Sequence, residues 1–137
     1  MTGEISAGKE SLPHVAPRRR DAIRDAVDEL ESASAYRPKR MVVASDSLAS
    51  ALMAALLRGK KNPFVGQAPP LSDVLIAIDE RYNWDATKAV DAAVELAARV
   101  EETYHDDVDE IIADEINEEK ESIIEAIQQL LVELDDA

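Results

Sequence analysis

Apolar residues recur at spacings of three and four along most of the chain, the period of an α-helix face. Ile23, Ala26, Val27, Leu30 and Ala33 predict a helix over residues 18–34. Leu48, Ala51, Leu52, Ala55 and Leu56 predict a second, with Ser45 or Asp46 as its N-cap and Gly59 just past its end,. Leu71, Val74, Leu75, Ile78 and Tyr82 predict a third, broken at Asn83-Trp84-Asp85. Asp85 is placed to cap a fourth, whose face reads Val90, Ala93, Val94, Ala97, Val100 and Tyr104. Val108, Ile112, Ile116, Ile123, Ile127, Leu130 and Leu134 continue the spacing, with Glu119 in the single polar place. A helix over 106–134 would be about 43 Å long at 1.5 Å per residue. Only Met41-Val-Val-Ala44 is a candidate strand.

Punctuation fixes the organisation. Residues 1–16 are small, polar and aperiodic, and read as an extended arm closed by Pro13 and Pro17. Pro38 disfavours helical geometry in the residue before it and ends the first helix,. Residues 59–70 hold two glycines and three prolines and form a loop, with Phe64 and Val65 as its anchors,. Beyond Pro70 there is neither glycine nor proline. The expectation is an all-α protein of four to five helices. An arm over 1–16 precedes one helical domain over 17–137, which ends in a long acidic helix over 106–134. So long a helix exceeds what a small domain covers. Ile116, Ile123, Ile127, Leu130 and Leu134 are therefore expected at an oligomer interface,.

Composition narrows the chemistry. The 137 residues include no cysteine, which excludes disulfides, thiolate metal sites and a cysteine nucleophile,. Four glycines leave no glycine-rich nucleotide loop,. Five aromatics and abundant alanine make the core aliphatic and thin, as suits close-packed helices. No run approaches the length of a membrane span, so no membrane partner is expected,. No secretory signal opens the chain, and an intracellular or virion location is expected,.

The net charge of −14 is unevenly spread. Residues 1–68 carry 11 basic and 8 acidic residues; residues 69–137 carry 4 basic and 21 acidic. The last 37 residues hold 15 acids and one base, Lys120. The total resembles the carboxylate-rich surfaces of halophilic proteins. The segregation points instead to a partner at one end.

Arg18-Arg19-Arg20 lies at the start of the first helix, where positive charge opposes the helix dipole, and Glu29 and Glu31 at its other end oppose it too,. Such a cluster suits an anion or a partner's carboxylates, and Arg37, Lys39 and Arg40 extend the expected patch,. Arg58, Lys60 and Lys61 are further candidates. Glu102 and His105 have the Glu-x-x-His spacing of di-iron bundles, but the second pair such sites need is missing,. No nucleophile elbow or serine–histidine arrangement is present. The chain therefore reads as non-enzymatic, without metal or cofactor.

Lys39-Arg-Met-Val-Val-Ala44, a helix, and then Pro70-Leu-Ser-Asp-Val-Leu75 resemble the strand–helix–helix order of ribbon-helix-helix repressors. That resemblance implies a DNA-associated regulator or antitoxin, touching nucleic acid through the basic half and holding a basic partner on its acidic helix. The leading expectation is a helical structural or interaction subunit of a larger assembly, from a halophilic system. It would bind a protein partner or its own copies, as the helical ring adaptors of virion head-to-tail junctions do.

Overall fold

The computed structural model describes residues 9–59, 62–103 and 108–136. Among them stand five α-helices: α1 (Pro17–Ser32), α2 (Pro38–Leu56), α3 (Leu71–Arg81), α4 (Thr87–Thr103) and α5 (Glu110–Asp136). Helices α1, α2, α4 and α5 pack in a closed cycle, and α3 bridges α2 and α4. No described helix is long and apolar enough to cross a membrane.

Local chemistry sets the ends. Pro17 and Pro38 both occupy the first helical turn, where a missing N–H costs nothing,. Asp109 Oδ1 accepts the Ile112 N–H at 2.9 Å and starts α5,. Asp85 Oδ1 accepts both the backbone N–H (3.0 Å) and the hydroxyl (2.7 Å) of Thr87 ahead of α4, as expected of a capping residue. These bonds favour the carboxylate and lower the pKa of Asp85,. The Tyr82 hydroxyl is buried and donates to the carbonyl of Leu56 at 2.8 Å, closing the C-terminus of α2.

The candidate strand is helical. Met41 and Ala44 are buried and continue the stripe of Leu48, Leu52 and Ala55, whereas Val42 and Val43 face outward. Three-and-four spacing thus begins at Met41, and α2 starts at Pro38 rather than after Ser45 or Asp46. The residues that would supply the ribbon of a ribbon-helix-helix protein therefore lie inside a helix. At the other end α2 stops at Leu56; Gly59 has a positive φ of 59°, but lies beyond the residue that directly follows the helix. Phe64 packs on the core, while Val65 stays exposed.

The described part of the arm is docked. Glu10 donates its N–H to Arg81 O (2.8 Å) and accepts from Asn83 N–H (2.7 Å). Its carboxylate pairs with Arg81 at 2.6 Å, and Lys9 stands 3.7 Å from Asp79. Val15 is buried. The chain before α1 thus crosses the α3–α4 junction.

Helix α5 is the spine, about 40 Å long over its 27 residues,. Arg99 pairs with Glu115 at 3.1 Å, tying α4 to its first half. The ammonium of Lys120 donates to the carbonyls of Glu31 and Ala33, both at 3.0 Å, tying α1 to its middle. Arg20 and Arg24 meet Asp135 at 2.7 and 2.9 Å at its end. Helix α1 therefore runs antiparallel to α5, and both it and α4 pack along the long helix.

This arrangement resolves the charge oddity of α1. Both its ends carry the sign that its dipole disfavours, and α5 supplies the opposite sign at each. Asp135 faces the arginines of the first turn, and Lys120 faces the open carbonyls of the last,.

It also corrects the expected interface. Ile116, Ile123, Ile127, Leu130 and Leu134 are all buried within the single chain. Their stripe is core because both α4 and α1 pack along α5, an arrangement that helix length alone does not reveal. The polar member of that stripe is Lys120, which is buried, and not the half-buried Glu119.

Candidate interaction groove

The expected basic patch is divided. Arg18, Arg19 and Arg20 stand at the start of α1, whereas Arg37, Lys39 and Arg40 stand at the start of α2. The two helices are joined by a short connection and pack side by side, hence antiparallel,. Their N-termini lie at opposite ends of the pair, about 24 Å apart along 16 residues of α1,. Within the first group, Arg20 is committed to Asp135, Arg18 is exposed and Arg19 is half-buried. Arg37 and Arg40 are exposed. Lys60, Lys61, His105 and Tyr104 lie outside the described residues. Among the described residues no three histidine, aspartate or glutamate side chains stand together as a metal site.

A different feature collects exposed apolar surface. Helices α2 and α4 diverge where the start of α3 meets them, leaving a groove of about 560 Å³. Val42, Ser45 and Asp46 form its α2 wall. Pro70, Leu71 and Ser72 close one side, and Ala93, Leu96, Ala97, Val100 and Glu101 form its α4 wall. The volume is that of a pocket able to take up several side chains or a small ligand. Its two charged lining residues, Asp46 and Glu101, are both acidic and exposed.

The groove exists because α4 carries more apolar arc than the core uses. Its buried face is Ala89, Ala92, Ala93, Leu96, Val100 and Thr103. The face expected from the sequence ran one residue to the side, through Val94 and Ala97, and these two are exposed. Leu96 decides the phase, since it is the bulkiest apolar residue of α4 and turns inward. The alanines fit either phase equally. Val94, 49% exposed, extends the apolar strip one turn beyond Ala97,. No short motif marks this site. Its parts come from three helices, and the one sequence signal is a helix with apolar positions on too many sides.

An acidic ridge runs along the outer face of α5. Glu110, Asp114, Glu118, Glu121 and Glu125 are exposed and lie three or four residues apart, forming one ridge along α5,. Glu119 sits beside it at the α4–α5 seam. Loss of hydration raises its pKa above the usual glutamate value, repulsion from Glu95, Glu118 and Glu115 adds to this, and Arg99 offsets part,.

The sign of the linkage follows. The folded chain takes up this proton at a higher pH than the unfolded chain does. The penalty is therefore fully present at neutral pH and is relieved as pH falls through the raised value. Glu119→Gln should be more stable than the parent at pH 7. Its advantage should shrink as the pH is lowered towards the usual glutamate value, as read by urea denaturation across that window. An advantage independent of pH would mean that the seam does not strain Glu119.

No protein-family model, curated protein or solved structure matches this chain.

Proposed function

We propose that the chain is a non-enzymatic helical interaction subunit of a larger assembly, adapted to a salt-rich setting. The observation that carries this reading is the apolar groove between α2, α3 and α4, with Val42 and Ala97 exposed in its walls. Contiguous apolar surface bordered by charge marks contact sites on helical proteins. The terminal stripe no longer serves as the contact surface, because it is used inside the chain. The contact passes to the groove. The carboxylate ridge of α5 and the net charge of −14 support the salt-rich setting, where screening relieves self-repulsion,. Ring-forming adaptors of virions remain the comparison in role.

Light scattering on material isolated from its own cells or virions at native abundance tests the reading. The expected mass is well above the 15.0 kDa of one chain. Ala97→Arg, a charge set in the exposed groove wall, should lower it. A parent chain that elutes at its monomer mass overturns the reading.

A further inference from the structure

We propose that the groove receives an amphipathic helix of a partner protein, with apolar anchors on one face and lysines or arginines flanking them. This rests on reading the chain as an interaction subunit and names the chemistry of the partner.

Shape argues for a helix. The walls are two helices, α2 and α4, and their lining residues repeat at helical spacing. On α4, the buried Leu96 and Val100 form the floor, while the exposed Ala97 and Glu101 form the lip. The α4 lining from Ala93 to Glu101 spans just over two turns, about 12 Å,. An elongated trough of this kind matches anchors at i, i+3 or i+4, and i+7 of a docked helix. Ala97 is exposed and small, so a third helix can approach α4 closely there,.

Charge argues for a cationic partner. The charged lining residues, Asp46 on α2 and Glu101 on α4, put a carboxylate on each of the two helical walls. A helix lying between them is flanked by negative charge on both sides. The net charge of −14 steers cations to the whole molecule and repels a second copy of this chain,. The acidic residues set sign and orientation, and the apolar floor supplies the buried area.

The test uses the full chain and two fluorescein-labelled 18-residue helical peptides. Both carry leucine at helix-face positions; one carries lysine elsewhere, its twin glutamate. Fluorescence anisotropy at 150 mM salt should show the lysine peptide binding at least tenfold more tightly than the glutamate twin. Ala97→Phe fills the lip and should weaken that binding at least tenfold. Asp46→Lys with Glu101→Lys changes only exposed side chains, and should reverse the preference in favour of the twin.

Three outcomes overturn the proposal. The lysine peptide does not bind. It binds equally to the parent, Ala97→Phe and the double reversal, which is general attraction to an acidic surface. Or the parent self-associates through the groove, with a concentration-dependent mass that Ala97→Phe abolishes. The subunit reading fails separately, on a native mass equal to one chain. If Ala97→Phe keeps both the native assembly and full affinity for the peptide, the groove proposal falls and the subunit reading stands.

Discussion

Replacing Ile123 by alanine should lower the free energy of unfolding by about 2–5 kcal/mol, with no dependence on protein concentration. Ile123 is fully buried in the single chain. It lies between Glu115, which pairs with α4, and Asp135, which pairs with α1, so both partner helices flank its stretch of α5. Truncation removes three methyl or methylene groups from that triple contact and leaves a cavity. Surrounding side chains relax only partly, because the helices are fixed on either side by ion pairs and by Lys120. Since a domain of this size is stable by only about 5–15 kcal/mol, serine at Ile123, Ile127 and Leu130 together should leave no folded chain.

The dependence on concentration is the discriminating readout. If the stripe met another subunit, the midpoint in urea would rise with protein concentration and the substitution would abolish that rise. With the stripe inside the chain, midpoints at 1 µM and 100 µM should coincide for the variant and shift together from the parent, by about the same free energy. A native mass changed by Ile123→Ala in a chain that stays folded would return these residues to an interface.

The same residues mark how far sequence reaches here. An all-helical chain of four to five helices, the bonds of Asp85 ahead of α4 and the apolar stripe of α5 follow from period and capping chemistry, which are local. What the structure changes depends on phase and on which helices share α5. Glu119 and Lys120 are neighbours, and a three-and-four pattern accommodates either as its polar member. Only the carbonyls of Glu31 and Ala33, some 90 residues away, select Lys120. In α2 the pair Val42-Val43 suggested a strand, yet Met41 and Ala44 on either side belong to the helical period. The arginines of α1 and α2 are close in sequence and are parted by an antiparallel turn. The groove lies between residues 42 and 101, and on α4 a one-residue difference of phase turns Leu96 inward and leaves Ala97 exposed in its wall.

Lys120 should prove the least replaceable charged residue of the chain. It is the one base among the last 37 residues, it is 7% exposed, and its ammonium closes the last turn of α1 through two carbonyls. Among the described residues no carboxylate pairs with it. Its favourable partners are the negative end of the helix dipole and two acceptors with no other intrahelical donor. Lys120→Met keeps the length and the apolar stem of the side chain, so packing is largely conserved. The loss is then electrostatic: a charged hydrogen bond donor is removed and two part-buried acceptors lose their partner, a change of about 1.5–3 kcal/mol,. Lys120→Glu should do more harm, since it sets a buried carboxylate against those same carbonyls. Urea denaturation measures the loss in the methionine variant, and amide exchange should locate it in the last turn of α1. The competing outcome is physical and specific. Apolar replacements of buried charges sometimes stabilise, because the ammonium no longer has to leave water. A methionine variant as stable as the parent would mean that desolvation of Lys120 cancels what it contributes to α1. The register of α1 on α5 would then rest on Arg20, Arg24 and Asp135 alone.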